Sequence, residues 1–322
     1  MTNMSSVIAS VPVFIFCLSG TSTILAQDYP SRPIKYIVAD APGTTGDTIG
    51  RILAPEMTKA IGQPVIIENK PGAGNRIGFE YVAKLQPADG YTFAAVTVET
   101  LALLPVTAKN IPFDPLKDLP PFMVIGDARL VFASSSSSTW KNFAELVANI
   151  KANPGKLNYG ASAPVVRFPM EALIGALGVN VVHIPYATAA SFTQSLVAGD
   201  IQMGFVGELP ARALGGKLRV LAVTGDQRRA PFLDVPTFVE LGHPQIPDVS
   251  YSFNARDGTP KSATDKLYMA AQQALKLPEV RASFEKIGFN VNEKPAGAAV
   301  NMLAQRAKLF AEIAKRVGVQ PE

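Results

Sequence analysis

The stretch Ile34–Ala60, IKYIVADAPGTTGDTIGRILAPEMTKA, decides the reading of the fold. Ile34–Val38 is an apolar run that suits a buried parallel strand. Pro42-Gly43-Thr44-Thr45-Gly46-Asp47 is a run of turn-forming and small residues. Ile49, Ile52, Leu53, Met57 and Ala60 then fall at helical spacing. The unit is a strand that delivers a small-residue loop to a helix N-terminus. Free backbone N–H groups and the positive end of the helix dipole point into such a loop. A carboxylate is its natural occupant. An ordinary strand-to-helix connection with nothing bound carries the same signature.

Residues 1–26 contain no charged side chain, Val7–Leu18 is largely apolar, and Thr21–Ala26 is small and uncharged. This pattern predicts a secretory signal peptide, residues 1–26, cut after Ala26. The apolar run is too short to read as a membrane span. Cys17 is the only cysteine and falls inside the signal, so the mature chain has no disulfide and stands on its core alone. About 296 residues suffice for that. Lys and Arg number 30 against 26 Asp and Glu, a net charge of +4. This mild bias suits an anionic small molecule and lacks the clustered basic face that nucleic acid requires. Arg228-Arg229 and Lys315-Arg316 read as solvated surface pairs.

Strands and helices then alternate. Pro64–Asn69, Tyr91–Thr97, Phe122–Gly126 and Leu130–Ala133 read as strands, with a helix at Ile77–Leu85. Helices follow at Phe143–Ala152, opened by an Asn142/Glu145 capping box, and at Arg167–Leu177 and Ser191–Ala198. Strands fall at Leu157–Tyr159, Val181–Ile184, Ile201–Val206, Leu218–Val223 and 248–255, and the chain is helical from Ser262 onward. The fold class is α/β, with mostly parallel sheets flanked by helices. There are too many strands for one sheet. We expect a discontinuous first domain, 27–127 plus 228–322, and an inserted second domain, 128–227. Two such domains enclose a cleft lined by loops at strand ends.

Motifs for catalysis and cofactors are missing. Two histidines far apart and no paired cysteines give no zinc site. Gly160-Ala161-Ser162-Ala163-Pro164 lacks the final glycine of a nucleophile elbow, and Gly215-Gly216-Lys217-Leu218 is no Walker loop. Gly72–Gly78 places its last glycine one residue late for a dinucleotide fingerprint and reads as a turn before a helix. No cofactor and no metal are expected.

Four strand-end loops carry small or hydroxyl residues suited to carboxylate oxygens. The first supplies Gly43, Thr44 and Thr45, and the second Thr97 and Thr100. The third supplies Ala161, Ser162 and Ala163 just before Arg167, and the fourth Gly207 and Glu208. Capping of the following helix is the alternative role for each hydroxyl. Arg167 reads either as a bidentate grip on a ligand carboxylate or as the partner of Glu171 four residues on.

The whole mature chain resembles the Bug-type periplasmic solute-binding proteins of tripartite tricarboxylate transport systems. The matching stretches are Tyr29–Ile34, Pro64–Gly74, Asp89–Thr92, Phe113–Asp118, Ala152–Gly160, Val182–Tyr186, Gly216–Thr224 and Asp234–Thr237. The resemblance implies a two-domain venus-flytrap fold of the periplasmic-binding-protein kind that closes over a small carboxylate. It implies a periplasmic monomer, membrane transporter components as partners, and no catalysis. The departures fall where ligand choice should lie. Ala41-Pro42-Gly43-Thr44 stands where the family reads Pro-Pro-Gly-Gly, and Arg167 where it has histidine. Val206-Gly207-Glu208 replaces Asp-Asn after Phe205, which argues against an amino-acid ligand unless Glu208 takes the place of the lost acidic residue.

The leading reading is a binding protein for an aromatic or dicarboxylic acid. A secreted α/β hydrolase or lyase, and a ligand-presenting sensor protein, are the alternatives.

Overall fold

The computed structural model describes residues 29–318 and residue 321. The expected signal peptide and Cys17 lie outside the described residues. The chain opens with β1 (Ile34–Val38), α1 (Thr45–Ile61), β2 (Val65–Asn69), α2 (Arg76–Glu80), β3 (Thr92–Thr97), α3 (Val98–Thr107) and β4 (Pro121–Ala128). It continues with β5 (Leu130–Ser135), α4 (Phe143–Ala152), β6 (Asn158–Ala161), α5 (Pro164–Leu177), β7 (Val182–Pro185), α6 (Ala189–Ala198), β8 (Gly204–Gly207), α7 (Glu208–Leu214) and β9 (Leu218–Val223). It ends with β10 (Val249–Ala255), α8 (Lys261–Lys276), α9 (Pro278–Lys286), β11 (Phe289–Pro295) and α10 (Ala296–Val317).

Six strands form one sheet in the order β2-β1-β3-β10-β4-β11. Strand β1 pairs in parallel with β2 and β3, in the registers Ile34↔Val65 and Lys35↔Thr92. Strand β10 runs antiparallel to β3 and β4, and β11 antiparallel to β4. In the second sheet β5 lies between β8 and β9, antiparallel to both, while β6 and β7 pair in parallel nearby. The sheets are thus mixed, where mostly parallel pairing was expected. A strand that returns through a helix crossover runs parallel to its predecessor. Strands β5 and β10 instead arrive straight from the other sheet, so nothing obliges them to.

Each sheet carries an aromatic cluster. Tyr36, Phe93 and Phe253 stack within 5.2 Å of one another in the first. Phe132, Phe205 and Phe238 do so within 5.9 Å in the second. All six are fully buried. Burial of each ring stabilises the fold by about 1.5–3 kcal/mol. Gly78 lets α2 press onto the end of β1: a Cβ there would stand 2.7 Å from Ala39 Cβ. The predicted box at α4 forms with one change. Asn142 Oδ1 accepts the Glu145 N–H at 2.9 Å, but the Glu145 carboxylate reaches the Lys141 N–H at 2.6 Å.

Arg129, fully buried, is the single residue between β4 and β5, and residues 224–248 carry the chain back. Thr224 Oγ1 accepts the Leu130 N–H at 2.9 Å and donates to Asp248 Oδ1 at 2.5 Å, tying the two crossings together. Arg229 was expected on solvated surface. It instead donates to Asp248 Oδ2 at 2.7 Å. Among the described residues no helix is long and apolar enough to cross a membrane.

Candidate functional site

The site begins in the first loop. Thr44 caps α1: its Oγ1 accepts the Asp47 N–H at 3.4 Å and its carbonyl the Thr48 N–H at 2.9 Å. Gly43 makes the turn at φ 84°, where a side chain would be strained. Its N–H donates to Asp47 Oδ2 at 2.9 Å. The loop therefore already holds a carboxylate, and it is the protein's own. Asp47 also accepts Arg51 Nε at 2.8 Å and Asn69 Nδ2 at 3.0 Å. Burial pushes the Asp47 carboxyl up, but the Arg51, Gly43 and Asn69 donors outweigh it and hold it down at about 2. The amides of Thr45 and Gly46 find no acceptor among the described residues.

The other three loops also start helices. Thr97 caps α3, its Oγ1 accepting the Thr100 N–H at 3.2 Å and donating to the Thr100 hydroxyl at 2.5 Å. Helix α5 starts after Ala163 and α7 after Gly207, neither with a side-chain cap. The first amides of such helices are left for backbone, water or ligand.

All four starts meet around one cavity of about 260 Å³. Thr44, Thr45, Thr97, Thr100, Ser162, Ala163, Gly207 and Glu208 line it. Apolar and aromatic groups such as Val96, Val166, Leu209 and Tyr251 complete the wall. Four positive dipole ends facing one space favour an anion. A second, largely apolar cavity of about 670 Å³ adjoins it and shares Ser162, Val166, Ala189 and Gly207.

Asp40, Asn75 and Arg129 also line the first cavity, and all three escaped the sequence reading. Asn75 Nδ2 donates to Asp40 Oδ1 at 2.8 Å and to the Ala39 carbonyl at 3.0 Å. Burial raises the Asp40 pKa, and the Asn75 bond only partly offsets this. A protonated Asp40 donates to an anion, whereas an ionised one repels it. The available signal was the position of Asp40, two residues past the first strand.

Three expected residues are not on this wall. Gly43 serves Asp47. Ala161 is buried in β6, where its carbonyl accepts the Tyr186 N–H at 2.9 Å. Arg167 was expected to open its helix, but α5 begins three residues earlier because Pro164 suits the first helical position. Its Nε donates to Glu171 Oε1 at 3.2 Å, and Tyr159 Oη donates to the same oxygen at 2.6 Å. The pairing with Glu171 is the alternative that forms. Glu208 is similarly engaged. Its carboxylate binds Arg212 and lies 3.7 Å from Arg129 Nε, and its N–H donates to the Arg129 carbonyl at 3.0 Å. Among the described residues no group of three or more His, Cys, Asp or Glu could hold a metal ion.

Residues 49–319 match the tripartite tricarboxylate transporter family receptor, TctC. The chain belongs to this receptor family. The receptor is 33% identical over 299 residues to a UPF0065 protein of the gbd 5′ region of Cupriavidus necator, covering 91% of this chain and 90% of that one. The solved periplasmic binding protein BugD superposes with a TM-score of 0.78 at 28% identity, over 91% of this chain and 100% of its own. An R. palustris protein solved with adipate superposes with a TM-score of 0.81 at 26% identity, over 92% and 100% of the two chains. The fold is therefore that of the periplasmic binding proteins, and the receptor is a solute-binding component of a transport family.

Proposed function

We propose that this receptor captures a small organic acid, aromatic or dicarboxylic, where α1, α3, α5 and α7 begin. It releases the acid unchanged to the membrane components of a tripartite transporter. The meeting of four helix N-termini around one cavity carries this reading. The adipate held by the R. palustris relative supports it. Thr44, Thr45, Thr97, Thr100, Ser162, Ala163 and Gly207 hold the carboxylate by neutral donors, and the adjoining apolar cavity takes the ligand body. The first sheet with its helices acts as one lobe, and the second sheet, with Phe238 of the returning segment in its core, acts as the other. They hinge at Arg129 and at residues 224–248 and close on the ligand. Closure follows if the ligand binds the closed form better. The receptor works as a periplasmic monomer after cleavage behind Ala26.

Thermal unfolding of the mature protein with adipate, succinate, benzoate and hexanoate tests this. A ligand at one hundred times its Kd adds about 2.7 kcal/mol of stability. A saturable rise in Tm with the acid recovered intact is expected. No rise for any acid, or conversion of one, would overturn the reading.

A further inference from the structure

A third cavity, of about 310 Å³, lies where the crossing segments meet α7, α9 and β11. Four arginines line it: Arg129 and Arg229 on the two crossings, Arg212 on α7 and Arg281 on α9. Glu208 and Glu285 face the same space, and Asp248 pairs with Arg229. Four guanidinium groups against three carboxylates leave a net positive charge.

The arginines are unequally satisfied. Arg212 is fully engaged: it binds the Glu208 carboxylate and donates to the Glu285 carbonyl at 3.2 Å and the Ala230 carbonyl at 3.2 Å. Arg129 is not. Its Nη1 donates to the Arg229 carbonyl at 3.0 Å, yet buried Nε and Nη2 make no hydrogen bond. The residue is 0% exposed, so water cannot serve those donors in bulk. Glu208 Oε2 stands 3.7 Å from Nε, an ion pair without a hydrogen bond, and buried charged donors left without hydrogen bonds are costly. Arg281 is exposed, and its guanidinium forms no hydrogen bond or ion pair among the described residues. The cavity thus brings together a buried guanidinium with two donors that make no hydrogen bond and an exposed guanidinium with no side-chain partner.

We propose that this cavity is a second anion site, for a small multivalent oxyanion of the phosphate or polycarboxylate class. The anion would face both Arg129 and Arg281. It would join α7 to α9 beside the crossing strands, and so bias the setting of one sheet against the other. The two cavities share Arg129 and Glu208 in their walls, but Arg212, Arg229 and Arg281 line this one alone, and the proposal does not depend on the organic-acid assignment.

Calorimetric titration of the mature protein with inorganic phosphate and with citrate, at constant ionic strength set by sodium chloride, tests the proposal. Saturable one-site binding of at least one anion is expected. Arg281→Gln should weaken it tenfold or more. Arg281 has no partner to lose, so this variant should fold as the wild type does. Arg129→Met probes the buried guanidinium. Ser162→Trp, which obstructs the organic-acid cavity, should leave the binding unchanged. Preference for phosphate or for citrate identifies the source of the anion. Neither anion binding beyond chloride, Arg281→Gln binding as tightly as wild type, or Ser162→Trp abolishing the signal would each overturn the proposal.

Discussion

Asp47 Oδ2 accepts the Gly43 N–H at 2.9 Å, so the loop that opens the organic-acid cavity is braced by an internal carboxylate. That bond shapes the turn which leaves the Thr45 and Gly46 amides free. Asp47→Asn removes the charge and half of the grip on Arg51. It should destabilise the protein by about 1–3 kcal/mol at pH 7, the cost of disturbing a buried charged hydrogen-bond group. The Asp47 pKa lies below its ordinary 3.8, at about 2. Its stabilisation is therefore complete above pH 3.8 and disappears as pH falls toward 2. Urea unfolding of both proteins across this range should show the difference shrinking with acid. A constant difference would contradict the assignment.

Glu99 behaves oppositely. It is buried in the first turn of α3, where its Oε2 accepts the Ser250 N–H at 2.8 Å. Burial raises its pKa from 4.5 to about 7, with Arg306 and the Ser250 N–H pulling the other way. The folded state then holds a proton that the unfolded state has lost, so stability declines as pH rises from 4.5 to 7. Over that interval the loss approaches roughly 3 kcal/mol. Glu99→Gln keeps an acceptor for Ser250 and should flatten the decline. Tm measured from pH 4.5 to pH 8 checks this. Parallel curves for the two proteins would refute it.

Ser162 and Arg167 separate two accounts of ligand grip. Ser162 lines the cavity and its hydroxyl bonds to no group among the described residues. Ser162→Ala should cost about 0.5–1.5 kcal/mol of binding free energy for a bound dicarboxylate. Arg167 pairs with Glu171, with 30% of its side chain exposed. Arg167→Ala should alter affinity less than twofold. Calorimetry with one dicarboxylate decides between them. A larger loss for Arg167→Ala would return that residue to the site.

Much of this was legible from residue pattern. Helix α4 and strand β9 fall where periodicity placed them, because their apolar faces are long and well bounded. Strand β11 was missed because Phe289–Pro295 alternates few apolar residues with Asn, Glu and Lys, the pattern of an exposed sheet edge. Helix α7 is seven residues long and contains Pro210, too short for periodicity to speak. Strand direction is invisible to an apolar run, so β10 read no differently from a parallel strand. At the site, the hydroxyl loops were readable from their place after strands. Asp40 and Asn75 were not, because their meeting depends on the Gly72–Gly78 turn folding back onto the end of β1.

At the proposed site, Asp40 should give ligand binding a pH dependence. Its raised pKa favours the protonated acid, which can donate to a ligand oxygen. Affinity for a carboxylate should therefore decline as pH rises through the Asp40 pKa, above 3.8. Asp40→Asn should remove that dependence while leaving a donor in place. Titrations of both proteins from pH 4 to pH 8 check this. An unchanged slope in Asp40→Asn would exclude Asp40 as its source.

Amide chemical shifts of the ¹⁵N-labelled mature protein, recorded during titration with adipate, succinate and benzoate, test the central claim most directly. The account predicts that at least one acid shifts Thr45, Gly46, Ser162 and Ala163 together along one saturating curve, as amides from two separate loops take up one anion. Saturation that leaves these four amides unmoved, or that moves only one loop of the pair, would contradict it.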